Sequence, residues 1–229
     1  MKLSNETVSV LKNFATINQN LVIKSGNSIS TISAQKNIVA HATVKETFPQ
    51  DFAIYDLNEF LAALSLFGKP DLDFRDDFVV ITENGSASKS LKYWYSDPSV
   101  VTTVTKEITM PECEVNFSLE NDMLSNVQKA AAVIGVPDMV LEGMDSGVAL
   151  LKVTDKKNAT ANDYAVKVNV NNENGKNLSY KFWFKVENLK LLSGTYDVSI
   201  SSKNISHFVN ANVDIKYWIA LEPESKYDA

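Results

Sequence analysis

Two stretches of the chain share one pattern. Residues 53–68 are AIYDLNEFLAALSLFG, and residues 180–194 are YKFWFKVENLKLLSG. Each begins with apolar residues typical of a strand, passes an acidic residue and an asparagine, and continues into a short leucine-rich segment that ends at glycine. Glycine after such a segment is typical of a helix C-terminus. Because a pattern that recurs along a chain indicates a repeated structural unit, we expect two copies of one domain.

Apolar spacing and end signals predict four short helices. The first follows Ser4 and the second follows Asp56, since serine and aspartate are favoured at helix N-caps. The third follows Ser118 and stops at Gly135, and a shorter fourth helix is expected over residues 187–192. Each half of the chain therefore contributes two helices.

Most of the remaining chain alternates apolar and polar residues with the period of two that is typical of strands. The clearest alternations cover residues 164–170, 196–200 and 213–221. Asn84-Gly85 and Asn174-Gly175 are pairs that tight hairpin turns favour, because those turns need positive φ angles. The fold class is therefore α+β, with antiparallel sheets and two helices in each repeat.

A stretch between the two halves is typical of an extended connector. Residues 96–115 are rich in β-prone residues but include Pro98 and Pro111, which interrupt regular pairing. We therefore expect an N-terminal domain at 1–95, a connector at 96–115 and a C-terminal domain at 116–229.

Composition limits the partners and the compartment. The chain has 22 Lys and Arg against 28 Asp and Glu, a net charge of −6, which taken alone argues against binding nucleic acid. No apolar run approaches the ~20 residues that span a bilayer, and the N-terminus lacks the apolar region of a secretory signal, so we expect no membrane partner. The single cysteine, Cys113, excludes an intramolecular disulfide and indicates a reducing cytoplasm.

Residues for catalysis or metal binding are sparse. The only histidines, His41 and His207, are expected at the surface or in turns rather than as bases, and Cys113 has no histidine near it in sequence. No glycine-rich phosphate loop occurs. The acidic run DLDFRDDF at 71–78 is more typical of a solvated turn than of a cation site. We expect neither an enzyme nor a cofactor or metal, but a binding or structural protein.

Four blocks, in matching order, resemble the DNA polymerase sliding clamp of T-even-type bacteriophages. They are LKNFATIN at 11–18, AIYDLNEFLAALSLF at 53–67, DPSVV at 97–101 and WIALE at 218–222. The start MKLS and the total length fit as well. The blocks extend over nearly the whole chain, so the resemblance is more specific than a single motif.

The resemblance implies a processivity factor. In that family each chain carries two similar domains, and three chains close head to tail into a homotrimeric ring with pseudo-sixfold symmetry. An ATP-driven clamp loader places the ring on double-stranded DNA without sequence preference, and the polymerase attaches through a C-terminal peptide. The T-even type also supports late transcription. The expected location is the cytoplasm of the infected bacterial host.

A ring that slides on DNA needs a positive potential in its hole rather than a positive total charge. The resemblance suggests that the DNA-facing residues are Lys2, Lys12, Lys129, Lys185 and Lys190. The alternative is that these lysines only increase solubility as part of the polar faces of their helices. The second helix has no basic residue and carries Glu59, so the expected lining is not uniformly basic.

Ring closure needs exposed strands that pair between chains. By order of elements these are residues 90–96 and 163–170, and the expected interface residues are Leu91, Tyr93, Tyr95, Tyr164, Val166 and Val168. The alternative is that both strands are internal. The family's pocket for partner peptides corresponds to Val100, Val101, Val104, Leu221 and Pro223. The valines could equally pack the connector against its domain.

Other functional classes stay open at this point. A structural virion protein built from repeated β-rich domains would have a similar composition. A duplicated domain that binds peptides as a monomer would share the repeat but would not form a ring. An enzyme is disfavoured because no constellation of catalytic residues can be assembled.

Overall fold

The computed structural model describes residues 1–144, 147–172 and 179–228. The chain divides into two compact units, Met1–Glu107 and Ile108–Ala229. Every residue between the last strand of the first unit and the first strand of the second is described, and the one helical element among them is a 3-10 helix, Pro98–Val100. The expected limits of the two domains and their connector stay a prediction.

The first unit contains two helices and short antiparallel sheets. Its elements are α1 Asn5–Ile17, β1 Leu21–Ile23, β2 Gly26–Ile32, β3 Ile38–Phe48, β4 Phe52–Ile54, α2 Leu57–Ser65, β5 Pro70–Phe74, β6 Phe78–Glu83 and β7 Ser86–Trp94. Strand β1 pairs with β4, β2 pairs with β3, and β5, β6 and β7 form a three-stranded sheet in that order.

The described residues of the second unit form one α-helix and two larger antiparallel sheets. Its elements are β8 Val115–Leu119, α3 Asn121–Ile134, β9 Asp138–Gly143, β10 Val148–Thr154, β11 Tyr164–Asn169, β12 Asn171–Asn172, β13 Ser179–Lys185, β14 Tyr196–Ser201, β15 Ile205–Asn210, β16 Ile215–Ala220 and β17 Lys226–Asp228. One sheet has the order β11-β10-β9-β13-β17, and the other has the order β12-β8-β14-β15-β16.

Helices α1 and α2 begin after the predicted N-caps, Ser4 and Asp56. The predicted start of α3 is wrong, because Ser118 lies in β8 and the helix begins after Glu120. The Ser4 hydroxyl accepts a hydrogen bond from the Thr7 amide at 3.2 Å, and the Asp56 carboxylate accepts one from the Asn58 amide at 2.9 Å. Helix α3 ends at Gly135, whose φ of 69° is left-handed and therefore favours glycine. These caps satisfy backbone groups that a helix end leaves open.

The predicted fourth α-helix is wrong. Residues 186–188 form only a 3-10 helix, and residues 189–195, all of them described, form no regular element. Side chains satisfy this backbone instead: Gln128 donates from Nε2 to the Leu189 carbonyl at 2.9 Å, and the Leu192 amide donates to the Tyr217 hydroxyl at 3.0 Å. In the second repeat a single 3-10 turn therefore follows the strand, where the first repeat has the α-helix α2.

The strand predictions are confirmed where the structure describes them. The alternations at 164–170, 196–200 and 213–221 correspond to β11, β14 and β16. Asn84 and Gly85, with φ of 50° and 75°, make the turn that joins β6 to β7. Asn174-Gly175 lies outside the described residues.

A carboxylate from β3 holds the start of α1. Glu46 accepts hydrogen bonds from the Ser4 amide and from the hydroxyl of Thr7, which is buried. Burial alone would raise the pKa of Glu46, but the hydrogen bonds from Thr7 and Ser4 outweigh burial and lower it. The ionised carboxylate therefore stabilises the junction between this helix and its sheet.

We expect Glu46→Gln to lower the free energy of unfolding by about 1 kcal/mol at pH 7, because hydrogen bonds to a charged acceptor are replaced by weaker ones. The wild-type advantage is full above the unfolded pKa of 4.5 and is lost as the pH falls through the lower folded value. Urea unfolding of both proteins across this range measures it. Glu107→Gln, at an exposed connector position, is the matched control; equal losses of stability in the two variants would contradict the assignment.

Candidate functional site

Helices α1 and α3 present the same pattern of buried and exposed positions. Val10 and Phe14 of α1 are buried, and Val127 and Ala131 of α3 are buried the same number of positions further along the chain. The exposed positions match in the same register: Asn5, Ser9, Lys12 and Thr16 on α1, and Asp122, Asn126, Lys129 and Val133 on α3. The sequence repeat is therefore a repeat of surface as well as of core.

Lys12 and Lys129 occupy equivalent places on these two faces. Both are exposed, and within the described part of the chain neither forms an ion pair with an acidic side chain. The exposed neighbours nearest to them along the helix faces, Ser9 and Asn126, are short and polar. Each helix thus offers one exposed lysine on a mostly polar face, which on α3 also carries the exposed Val133.

The other predicted lysines differ in their surroundings. Lys2 is exposed and precedes α1, and Lys190 is half-buried beyond the 3-10 helix. Lys185 lies at the end of β13 with its Nζ 2.5 Å from a carboxylate oxygen of the buried Asp138. The Asp138 carboxylate neutralises the charge of Lys185 locally, which argues against a role for Lys185 in contacting phosphate groups. As expected from sequence, α2 has no basic residue and exposes Glu59.

The two strands predicted to pair between chains both lie at sheet edges. Strand β7 is the last strand of β5-β6-β7, and β11 is the first strand of β11-β10-β9-β13-β17. The side chains expected at the interface from the β7 segment point toward the core, however. The Tyr93 ring lies 5.1 Å from that of Phe60, and the Tyr95 ring lies 5.1 Å from that of Phe52. Leu91 is half-buried in the same alternation.

The outward face of β7 carries residues that the sequence analysis missed. Trp94 is 61% exposed, and its ring centroid lies 5.0 Å from that of Phe78. The Lys92 ammonium lies 4.3 Å from the Phe78 centroid, within the range of a cation–π contact. The alternation along residues 90–96 could have identified Lys92 and Trp94, because they alternate with the inward residues Leu91, Tyr93 and Tyr95.

An exposed aliphatic side chain lies on the helix beside each edge strand. Helix α2 packs against β7, and the residue at its C-cap, Leu66, is 57% exposed. Helix α3 packs against β11, and its Val133 is 85% exposed. On β11 itself Tyr164 is exposed. Of the other two predicted interface residues, Val166 is half-buried and Val168 is buried.

The residues predicted for a peptide pocket fall in both units. In the first unit Val101 is buried, Val100 is exposed and Val104 is half-buried. In the second unit Leu221 is buried and Pro223 is exposed. The buried state of Val101 agrees with the alternative that it packs the connector down. The pocket as a whole stays a prediction.

The described residues contain little that could carry out chemistry. None of their histidine, cysteine and acidic side chains form a group of three or more that could hold a metal ion. His41 lies on β3 with Nδ1 2.9 Å from the Ser30 hydroxyl, and His207 lies on β15 with its ring stacked on Trp218. Within the same residues, no helix is long and apolar enough to cross a membrane.

Comparison with known proteins decides between the remaining classes. Residues 4–103 match the family model described as DNA polymerase processivity factor, and residues 115–223 match the model described as gp45 sliding clamp, C terminal. The sliding clamp of Vibrio phage KVP40 is 34% identical over 97% of this chain and 99% of its own length. The chain belongs to the sliding clamp family. The sliding clamp of Enterobacteria phage T4 is 25% identical, and each chain is covered completely.

Solved structures agree on the fold. A chain of the PCNA2-PCNA3 complex from Sulfolobus tokodaii superposes with a TM-score of 0.70 at 11% identity, over 98% of this clamp and 100% of that chain. Proliferating cellular nuclear antigen from Entamoeba histolytica gives a TM-score of 0.66 at 13% identity, over 95% of both chains. At such low identity these likenesses show the fold alone, which is that of two clamp domains.

The family places this clamp in DNA replication. It is a processivity factor, a protein that keeps a DNA polymerase on its template. The resemblance drawn from the four sequence blocks and the α+β fold class are confirmed. The virion-protein alternative finds no support among these matches.

We expect the double variant Lys12→Ala, Lys129→Ala to weaken binding to duplex DNA several-fold at low salt without altering the fold, because both side chains are exposed. The slope of log affinity against log salt should fall by about 0.9 for each phosphate that is no longer neutralised. Fluorescence anisotropy with a labelled duplex measures both quantities. The control is Lys157→Ala, Lys203→Ala, two exposed lysines off the helices, and equally weakened binding in that control would contradict the assignment.

Proposed function

We propose that three copies of this clamp close head to tail into a ring that encircles duplex DNA and slides with the polymerase. An ATP-driven loader opens and closes the ring, the polymerase attaches through its C-terminal peptide, and the clamp has no catalytic activity of its own. The setting is the cytoplasm of the infected bacterial host. The observation that carries the proposal is a pair of unlike sheet edges, one in each unit, together with matched lysines on α1 and α3.

The two edges suit a heterologous contact. Strand β7 belongs to the first unit and β11 to the second, so pairing β7 of one copy with β11 of the next leaves a free β11 at one end of the array and a free β7 at the other. Such a contact generates a closed ring when the rotation per copy divides a full turn. Monomeric proteins usually protect exposed strand edges, whereas these carry apolar side chains beside them.

The exposed apolar residues on both sides would be covered by this pairing. Trp94 lies on β7 and Tyr164 on β11, and Leu66 and Val133 belong to the helices that pack against these strands. Removing such side chains from water contributes about 25 cal/mol for each Å² of apolar surface, which offsets part of the entropic cost of association. Main-chain hydrogen bonds between the strands would fix the register, and the helix side chains would add apolar contact. Tyr93 and Tyr95 face inward and pack β7 against its own unit.

Sliding requires weak contacts with DNA. The net charge of −6 disfavours tight binding of DNA phosphates by the protein as a whole. Lys12 and Lys129 nevertheless supply a local positive potential on equivalent helices. Three copies would repeat these cations around the hole. Contacts of this kind position the duplex without reading its bases. Retention then rests on the closed ring rather than on affinity.

Partner proteins would dock on apolar residues near the connector and the last large strand of the second unit. Val100 and Pro223 are exposed in their respective units and suit apolar anchors of a peptide. These anchors would serve the polymerase and, as in T-even-type phages, factors for late transcription. Three copies would provide three such sites.

A topological test distinguishes a ring from an ordinary DNA-binding protein. The clamp is loaded by its loader and ATP onto a nicked circular plasmid, and the complex is isolated by gel filtration. We expect the clamp to stay on the circle and to dissociate after a restriction enzyme linearises it, because a ring slides off free ends. A complex that survives linearisation would contradict the proposal.

The same assay tests the interface. The double variant Leu66→Asp, Val133→Asp should fold but fail to remain on the circle, because it places charge beside both edges. Val209→Asp, at an exposed position within the sheet of β15, is the control and should be retained. Equal retention of the two variants would contradict the assignment of these edges.

A further inference from the structure

The segment that follows β16 is fastened along the edge of β13. The Glu222 amide donates to the Trp183 carbonyl at 2.8 Å, and the Trp183 amide donates to the Ser225 hydroxyl at 2.9 Å. Strand β17 then pairs with residues 179–181 of β13. We call residues 222–228 the strap. It continues the sheet by main-chain and side-chain hydrogen bonds.

One lysine joins the strap to the sheet by charge. The Lys156 ammonium lies 3.3 Å from a carboxylate oxygen of Glu222 and 2.9 Å from one of Glu224. It also lies 5.9 Å from the centroid of the Trp183 ring, and its side chain is only 10% exposed. Its own backbone amide donates to the buried Asp138 at 3.1 Å. Lys156 is therefore fixed at its base and at its tip.

Burial alone would lower the pKa of Lys156, but hydrogen bonds from its ammonium to Glu224 and Glu222 outweigh burial and raise it. The pKa of Glu224 is lowered in turn by its hydrogen bond with Lys156. Lys156 and Glu224 are thus charged together at neutral pH, and their attraction is sheltered from water on the lysine side.

Between the two glutamates lies Pro223. The Ser225 amide donates to the Glu222 carbonyl at 3.0 Å, so residues 222–225 form a turn with Pro223 exposed near its tip. Leu221, just before the turn, is buried, and its amide donates to the Asn204 carbonyl at 3.0 Å. The ammonium of Lys156 bridges the carboxylates on both sides of the exposed ring. It therefore sets where that ring points.

We infer that Lys156 is a positioning residue for partner docking, and that it holds the strap so that Pro223 is presented to an apolar anchor of an extended partner peptide. This inference rests on the proposed function, since it refines the partner site. Pre-ordering the turn removes a conformational cost that the peptide would otherwise meet on binding. Direct recognition of an acidic peptide by Lys156 is disfavoured, because its ammonium already contacts two carboxylates and is nearly buried.

The test measures binding of a fluorescein-labelled peptide, the C-terminal residues of the DNA polymerase encoded by the same genome, to the full-length clamp. We expect Lys156→Met to weaken binding about tenfold, and Lys156→Arg to restore most of it. Lys157→Met, the exposed neighbouring lysine, should bind like wild type. Thermal unfolding and molar mass should be unchanged in all of them.

A second variant separates positioning from direct contact. Glu222→Gln, Glu224→Gln keeps Lys156 but removes the negative charge of both its partners. Positioning predicts weakened binding like that of Lys156→Met, with little further weakening when the changes are combined, whereas direct contact with an acidic peptide predicts equal or tighter binding by the glutamine variant. In both weakened variants, hydrogen exchange at the Glu222 amide and along β17 should be faster, with β14 unchanged.

The outcomes separate this inference from the function on which it rests. Unchanged binding by Lys156→Met and by the glutamine variant, alongside wild-type binding, would overturn the inference alone. Absence of wild-type binding would overturn the proposed partner site and the inference with it. Weaker binding by both variants, rescue by arginine and faster exchange confined to the strap would support it.

Discussion

Backbone hydrogen bonding at two sheet edges is the constraint on which the proposed ring depends. Strands β7 and β11 each end a sheet, so one side of each carries amide and carbonyl groups without a strand partner in the described chain. Both edges have exposed apolar side chains beside them, at Leu66 and Val133. A chain with one such edge in each unit is suited to joining copies of itself, and the lysines on α1 and α3 give the joined surface its charge.

Duplication explains why so much of the fold was predictable from sequence. The strand-to-helix pattern at 53–68, helix caps such as Ser4 and Asp56, and alternating strands depend on local signals, and local signals survive in a single sequence. The family resemblance drew on the same blocks. Because α1 and α3 have the same helical pattern in sequence, Lys12 and Lys129 were predictable as DNA-facing candidates. The structure shows that they occupy equivalent positions.

The features that were not predictable depend on tertiary contacts. Residues 187–192 have helical composition, but Gln128 and Tyr217 satisfy that backbone from other elements. Lys185 resembles any surface lysine in sequence, yet Asp138 from β9 pairs with it. The strap shows the same dependence, because Lys156 meets Glu222 and Glu224 only through the fold. Sequence identifies the charged groups, whereas packing decides which of them stay available to a partner.

The molar mass of the protein in solution, measured by light scattering over a range of concentrations, tests the central claim most directly. A ring of three copies predicts a mass near three times 25.4 kDa that falls toward a single chain only on dilution. A monomer or a dimer at every concentration would contradict the account, because neither contains the three chains whose edges must pair to close a ring around a duplex.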